Sequence, residues 1–172
     1  MLQLRPLSAT DCDRLYAVAA DPKIWEQHPD RTRWRPDGFR TYFDQAMASG
    51  GALLASIAAS GAESSAVIGA PRFHGYDSVA SEIEIGWTFL ARDYWGGRYN
   101  REMKRLMVAH AFRFVQRVVF RIGRDNIRSQ NVALKIGAVL AGAATDGLGI
   151  ESYTFHLSAD AWVRAAGQSS LP

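Results

Sequence analysis

A strict alternation of apolar and polar residues in the middle of the chain leads into a pair of glycines and then into a helical pattern. Residues 82–89 read Glu-Ile-Glu-Ile-Gly-Trp-Thr-Phe, the period of two that is typical of a strand with one buried face. After Gly96-Gly97, apolar residues recur at helical spacing between Met103 and Phe114. A strand that feeds a helix through a tight glycine turn predicts a sheet with helices packed on it.

The same kinds of pattern divide the rest of the chain into short strands and helices. Before the alternating strand they predict a strand at 2–7, a helix after Ser8 or Thr10 that ends near Asp21-Pro22, a helix from Pro36 to Gly50-Gly51, and strands at 52–58 and 65–74 around a turn at 60–64. After the glycine pair they predict a strand at 118–122, a helix capped by Asp125 or Asn126 and ended by Gly137, a hairpin of 139–143 and 153–157 across Thr145-Asp146-Gly147, and a short helix after Ser158. This order predicts an α/β fold, with a mixed central sheet of about six or seven strands flanked by helices.

Length and composition fit one globular domain. The chain has 172 residues, of which 48% are hydrophobic and 22% charged, a balance that is too apolar for a disordered chain. We expect a single domain at 1–166 and a disordered tail at 167–172. The apolar runs are too short for a membrane span, and the first residues lack the pattern of a signal peptide, so a cytoplasmic location is expected. With Cys12 as the one cysteine and no metal-ligand spacing among the histidines, neither a disulfide framework nor a metal site is expected.

Basic residues gather in two stretches, although the net charge is only +3. One stretch holds Arg92, Arg98, Arg101, Lys104 and Arg105, and the other holds Arg121, Arg124 and Arg128. Solvated helix faces explain such clusters, and so does attraction of an anionic ligand. The small net charge argues against nucleic acid as the partner.

The glycine pair has the chemistry that a phosphate group needs. Without side chains, Gly96 and Gly97 let the backbone come close to a ligand, and the unpaired N–H groups at the start of the next helix attract negative charge. Asn100 is expected to cap that helix, with Glu102 in its first turn. The Lys-Ser or Lys-Thr of a P-loop and the Gly-x-Gly-x-x-Gly dinucleotide motif are both missing. Because most glycine pairs are only turns, this pair alone leaves the function open.

Three separated features, in order along the chain, resemble the GNAT acyltransferase superfamily. They are Glu84-Ile85-Gly86-Trp87 on the strand, Tyr94-Trp95-Gly96-Gly97-Arg98-Tyr99-Asn100-x-Glu102-x-Lys104 at the helix start, and Asn126-x-x-Ser129 followed by Ala133-Leu134-Lys135-Ile136-Gly137-Ala138. Within that superfamily they are most similar to the ribosomal-protein-alanine-acetyltransferase-like subgroup. The resemblance implies a single-domain GNAT-like fold and transfer of an acetyl group from acetyl-CoA.

The resemblance also implies which residues hold coenzyme A. The expected pyrophosphate ligands are the main-chain amides of Gly96, Gly97, Arg98, Tyr99 and Asn100. The pantetheine arm would pair with the main chain of Phe89, Leu90 and Ala91 and contact Asn126, with Ser129 nearby. The family loop has a glycine where Arg98 stands and a small residue where Asn100 stands. The Arg98 side chain is therefore expected either to crowd the pyrophosphate or to turn outward and pair with it, with Gly97 absorbing the backbone strain.

Acyl transfer to an amine needs a base for the amine proton and an acid for the departing thiolate. Glu82 and Glu84 share one face of their strand, and either could be the base, although arginine partners would make both purely structural. The resemblance favours Glu84, and some relatives suggest Glu151 instead. Many family members have a tyrosine acid at the position near Ala133, so Ser129 or a water is expected to replace it, although the place of Ser129 near the helix cap fits a purely structural role equally well.

These observations lead to one hypothesis and two rivals. The leading hypothesis is an N-acetyltransferase that moves the acetyl group of acetyl-CoA to a primary amine, either a protein N-terminus or a small molecule, by direct attack. We expect a monomer or a homodimer. A catalytically silent acyl-CoA-binding module is the first rival, because the tyrosine is missing and the loop is altered. A nucleic-acid-binding protein that uses the arginine clusters is the second.

Overall fold

The computed structural model describes residues 1–28, 30–58, 65–145 and 149–168. Within them lie seven strands and five α-helices, in the order that the sequence predicts. The strands are β1 (Leu2–Pro6), β2 (Leu53–Ile57), β3 (Ala66–Asp77), β4 (Glu82–Leu90), β5 (Arg117–Gly123), β6 (Val139–Thr145) and β7 (Glu151–Ser158). The helices are α1 (Cys12–Ala19), α2 (Pro36–Ala48), α3 (Arg98–Ala111), α4 (Ile127–Lys135) and α5 (Ala159–Gln168).

The strands form one mixed sheet with the order β1-β2-β3-β4-β5-β7-β6. β1 pairs antiparallel with β2, β2 pairs antiparallel with β3, and β7 does so with both β5 and β6. β4 and β5 are parallel, with α3 as the crossover that a parallel pair requires. The predicted α/β class with a mixed sheet is therefore confirmed.

The chain divides into two compact units, one of residues 1–74 and 87–106 and the other of residues 75–86 and from 107 onward. The first unit has an aromatic-rich core that consists of Leu15, Ala19, Trp25, Phe39, Tyr42, Phe43, Leu54, Ala70 and Phe89. Pro36 starts α2, because its fixed φ suits the first turn of a helix. The indole of Trp25 donates to the carbonyl of Ala19 at 2.8 Å and so satisfies the end of α1.

The second unit is built on the antiparallel pair of β5 and β7. Val118 lies opposite Leu157 and Phe120 lies opposite Phe155, and all four side chains are buried. Val119, which lies between Val118 and Phe120 and points to the opposite face of the sheet, is buried as well.

Gly137 ends α4, as predicted, with a φ of +93°. A Cβ at this position would come within 2.8 Å of the Ala161 carbonyl oxygen in α5, so both the backbone and the packing require glycine. β6, which follows, is exposed at every residue.

Parts of some predictions fall outside the described residues. The turn at 60–64 and the Asp146-Gly147 part of the closing turn both do so. α5 extends to Gln168, two residues into the predicted tail, while 169–172 lie outside the description. The single domain at 1–166 stays a prediction. In the described part of the chain, no helix has both the length and the apolarity needed to cross a membrane.

Candidate active site

The predicted site residues belong to both units. The glycine turn and the end of β4 lie in the first unit, whereas Glu84, Asn126, Ser129 and Glu151 lie in the second. The second unit also contains the arginines that contact these carboxylates.

The Gly96-Gly97 turn stands directly before α3. Gly96 has a φ of +66°, in the left-handed region that favours glycine, and no atom lies within 4 Å of the place a Cβ would take. A side chain there would thus be strained by the backbone and would not be crowded by neighbours. The expectation that Gly97 absorbs the strain is wrong, because the positive φ is at Gly96.

α3 begins at Arg98, so the expectation of a cap at Asn100 is wrong. Asn100 lies within the first turn, and its Oδ1 is buried with no hydrogen-bond partner among the residues that the structure describes. The first turn contains no acidic residue, since Glu102 comes later and pairs with Arg105 at 2.7 Å. The first N–H groups of a helix have no partner within the helix, so a start without a carboxylate suits an anionic ligand.

The arginines near this turn have different partners. The Arg98 guanidinium lies over the Tyr99 ring at 5.0 Å, and its Nη2 donates to the Tyr99 hydroxyl at 3.1 Å. Arg98 therefore lies along its own helix and is exposed. Arg92 instead forms an ion pair with Asp21.

Lys104 departs from the exposed basic cluster that the sequence suggested. Its residue is half-buried, and Nζ donates to the hydroxyl of Thr88 on β4 at 3.2 Å. Burial of the ammonium group lowers the pKa of Lys104 to about 8. Lys104 is therefore less exposed than the arginines of this stretch at 92, 98, 101 and 105 and is hydrogen-bonded to β4.

The main chain at the end of β4 already has protein partners. Trp95 Nε1 donates to the Leu90 carbonyl at 2.8 Å, and the Ala91 N–H donates to the Ile68 carbonyl at 2.8 Å. The Leu90 carbonyl keeps a second lone pair, whereas the Ala91 N–H is committed to β3. Pairing of a pantetheine arm with Phe89, Leu90 and Ala91 stays a prediction.

Glu84 is a buried carboxylate with an arginine partner. It accepts a hydrogen bond from Arg121 of β5, and its neighbour Glu82 accepts one from Arg117 at 3.0 Å. The arginine partners that the purely structural interpretation requires are thus present for both glutamates. The two differ in exposure, because the Glu84 side chain is 6% exposed and that of Glu82 is 24% exposed.

The Asn126-x-x-Ser129 spacing has a local structural cause. Asn126 is the N-cap of α4, and its Oδ1 accepts from the Ser129 N–H at 3.1 Å. The cap uses the Ser129 main chain and leaves the Asn126 amide nitrogen and the Ser129 hydroxyl outside this bond. Both groups have the chemistry to contact a ligand, so their predicted roles stay open to test.

Glu151, the third candidate carboxylate, begins β7. Its side chain is 52% exposed and forms an ion pair with Arg124. The Arg124 N–H also donates to the Glu151 carbonyl at 3.0 Å. The Glu151 side chain is therefore far more exposed to solvent than that of Glu84.

A buried cation in the first unit is not among the residues that the sequence indicated. Arg72 of β3 is 4% exposed, and its guanidinium lies 5.4 Å from the Tyr42 ring centroid and 5.2 Å from that of Trp87. The one available signal was an arginine within the apolar run of residues 66–73. Across the described residues, no group of three or more His, Cys, Asp and Glu could hold a metal ion.

Comparisons with known proteins identify the family. Residues 1–139 match the profile of the family described as "Acetyltransferase (GNAT) domain". No curated protein matches the sequence. One solved structure of similar fold is a GCN5-related N-acetyltransferase from Brucella melitensis, with 17% identity, a TM-score of 0.79, and coverage of 96% of this chain and 79% of that chain.

Two further structures of similar fold contain ligands. One is spermidine N-acetyltransferase from Vibrio cholerae in complex with CoA and spermine, with 12% identity, a TM-score of 0.67, and coverage of 94% of this chain and 98% of that one. The other is Mycobacterium smegmatis RimJ in complex with CoA-disulfide, with 17% identity, a TM-score of 0.69, and coverage of 98% and 89%. At these identities the structures show the fold, while the family profile spans most of the sequence. The chain therefore belongs to the GNAT acetyltransferase domain family, as its motifs predicted.

Proposed function

We propose that this protein transfers the acetyl group of acetyl-CoA to a primary amine, which attacks the thioester directly. The observation that carries the proposal is the Gly96-Gly97 turn before a first helical turn that has no carboxylate. Backbone N–H groups at such a helix start bind phosphate groups. Two relatives of similar fold were solved with CoA or CoA-disulfide, which supports coenzyme A as the ligand here.

The residues at the turn fit a diphosphate. The main-chain amides from Gly96 to Asn100 would hold it, while Arg98, which lies over Tyr99, leaves the turn uncrowded. The buried Oδ1 of Asn100 is an acceptor for a donor group of the ligand or of a bound water. Acetyl-CoA would supply the thioester that the amine attacks.

We assign the base to Glu84, with Glu151 as the alternative. Glu84 is the less exposed of the two side chains, at 6% against 52% for Glu151, and it lies on the strand whose main chain is predicted to pair with the pantetheine arm. Glu84 therefore accepts the amine proton directly or through a water. The Ser129 hydroxyl or a water gives a proton to the thiolate and is reprotonated by the proton that Glu84 accepted.

The acceptor is a small amine or a protein N-terminus. The relative named spermidine N-acetyltransferase supports the first class, and the relative named RimJ supports the ribosomal-protein-alanine-acetyltransferase-like subgroup and hence the second. The sequence motifs resemble that same subgroup.

The direct test follows thiol release from acetyl-CoA with a panel of small amines and peptide N-termini. We expect Glu84→Gln to lower kcat/KM by about 10²-fold or more while the Kd for CoA stays unchanged, because a general base contributes about 10²–10⁴-fold. Glu82→Gln is the matched comparison, since Glu82 lies on the same face of β4 and also pairs with an arginine.

The silent-module rival gives a different result. It predicts that the double variant Glu84→Gln/Glu151→Gln binds CoA as the wild type does and that neither protein releases thiol with any acceptor. If the wild type does not bind CoA, both the proposed function and the silent-module rival are contradicted. An equal loss of rate in Glu82→Gln and Glu84→Gln would remove the assignment of the base to Glu84.

A further inference from the structure

Arg72 is a buried cation whose hydrogen-bonding capacity is incompletely used. Its Nε and Nη2 are both buried and have no hydrogen-bond partner among the residues that the structure describes. Their N–H groups share one edge of the planar guanidinium and so point in the same direction. Because buried donors are almost always paired in native proteins, this edge requires a partner with two acceptors.

The surroundings of Arg72 are aromatic and positively charged. Arg33 lies 5.0 Å from the centroid of the same Tyr42 ring, and its side chain is only 13% exposed. Asp30 pairs with Arg33 at 3.2 Å, and within the described ranges no carboxylate forms an ion pair with Arg72. Burial lowers the pKa of Arg72, although the Tyr42 hydroxyl offsets part of that effect. The cluster therefore has an excess of positive charge.

A strained residue lies against this cation. Trp87 of β4 has a φ of +48°, a conformation that bulky side chains rarely adopt and that is concentrated at binding sites. The Tyr42 hydroxyl donates to the Trp87 carbonyl at 3.3 Å. The exposed His74 ring packs against the Trp87 indole, with 4.8 Å between the ring centroids. Tyr42 is buried whereas Trp87 is half-buried, so the indole is the more exposed of the two rings that stack on Arg72.

The position of Trp87 relates the cluster to the proposed reaction. It stands two residues before Phe89, where the pantetheine arm is predicted to pair with β4. Two residues of strand span about 7 Å, so an acceptor bound beside Trp87 would lie close to the predicted pantetheine arm.

A carboxylate matches the unpartnered edge of Arg72. It is planar, and its two oxygens accept the two parallel N–H bonds of one guanidinium edge. We propose that Arg72 binds a carboxylate of the acetyl acceptor, so that the acceptor is a small amine that also carries a carboxyl group, as an amino acid does. This inference rests on the proposed acetyl transfer and narrows its acceptor.

The test uses matched sets of an L-amino acid, its amide and the amine that lacks the carboxyl group, with aliphatic and aromatic side chains. For the wild type we expect kcat/KM in thiol release to be about 10- to 100-fold higher with the carboxylate member, the range for a hydrogen bond to a charged group. Arg72→Met should remove this preference and leave the Kd for CoA unchanged. Arg72→Lys keeps the positive charge but not the two parallel N–H groups, so it should retain only part of the preference for the carboxylate member.

Arg113→Met is the matched control. The Arg113 guanidinium also lies over an aromatic ring, that of Phe114 at 5.6 Å, but Arg113 is exposed and in the other unit. The preference for the carboxylate member should survive this change.

Thermal unfolding separates binding from packing. An unpartnered buried charge opposes folding, so Arg72→Met should leave Tm unchanged or raise it, whereas a purely structural stacking role predicts a lower Tm. The amino acid alone should raise the Tm of the wild type and not that of Arg72→Met. If inorganic phosphate raises Tm as strongly in the same Arg72-dependent way, the assignment to a carboxylate is overturned.

Failure of this inference differs from failure of the proposed function. If the wild type has the same kcat/KM for the amino acid, its amide and the amine without a carboxyl group, the role of Arg72 is overturned and acetyl transfer is not affected. Absence of thiol release and of CoA binding overturns the proposed function. The Arg72-dependent rise in Tm with the amino acid would then still support the carboxylate site, and its absence would overturn it.

Discussion

Asp11 and Lys104 are two charged residues whose pKa values are both lowered, for opposite reasons. The Arg5 guanidinium lowers the pKa of Asp11 to about 2, because it and the Ser8 N–H hold the ionised carboxylate. Burial lowers the pKa of Lys104 to about 8, because the ammonium group loses water. The first shift stabilises the charged form in the folded protein, and the second destabilises it.

Asp11 is expected to make the fold sensitive to acid. Its contribution to the free energy of unfolding is fully present above pH 4 and is lost as the pH falls from about 4 to about 2, because the unfolded chain binds a proton first. The loss amounts to about 2 kcal/mol. Urea unfolding of the wild type and Asp11→Asn between pH 2 and pH 5 measures it. A constant difference between the two proteins over this range would contradict the prediction.

Lys104 is expected to lower the free energy of unfolding at neutral pH, because its charged ammonium group is half-buried. Between its folded pKa of about 8 and its unfolded value of 10.5, the unfolded chain binds more protons, so stability rises with pH. Lys104→Met should therefore be more stable than the wild type at pH 7 by about 1–3 kcal/mol. Denaturant unfolding should show this gain shrinking toward pH 10. A less stable variant at pH 7 would mean that the contact with Thr88 outweighs the burial of charge.

At the scale of elements, the glycine turn before α3 gives the sharpest prediction. Gly96→Ala should lower the free energy of unfolding by about 1 kcal/mol, since its φ of +66° is unfavourable for alanine. Gly97 has no positive φ, and its nearest neighbour would lie 3.7 Å from a Cβ, so Gly97→Ala should leave stability nearly unchanged. Urea unfolding compares the two variants, and calorimetry with CoA compares their binding. Equal destabilisation of both would contradict the assignment of strain to Gly96.

The elements themselves could be predicted because their signals are local. The period of two in β4, Pro36 at the start of α2 and Gly137 at the end of α4 each act within a few residues. The start of α3 was misplaced because Asn100 is a strong capping residue, whereas the chain uses the preceding glycine turn and places Asn100 inside the helix.

Site features that depend on distant partners could not be predicted in the same way. The sequence suggested arginine partners for Glu84, but only the pairing of β4 with β5 shows that Arg121, 37 positions away, is the one. Arg72 was missed because β3 does not alternate there. Residues from Ile68 to Arg72 are all buried, so no polar face indicated the arginine.

At the scale of the whole molecule, binding of coenzyme A should stabilise the fold. At a CoA concentration of 100 times Kd the gain is about 2.7 kcal/mol, which for a chain of this length corresponds to a rise in Tm of roughly 5–10 °C. Pantetheine, which lacks the diphosphate, is the matched control and should give little shift. An equal shift with both compounds would show that the glycine turn is not the main anchor.

The outermost strand of the sheet has a consequence for handling the protein. β6 ends the strand order, each of its seven residues is exposed, and none carries a charge. An edge strand with these properties is a template on which another chain can add a strand. It lacks the lysines and prolines that normally discourage such pairing. We therefore expect the protein to associate as its concentration rises, which light scattering would detect, and crystals to grow through contacts at β6.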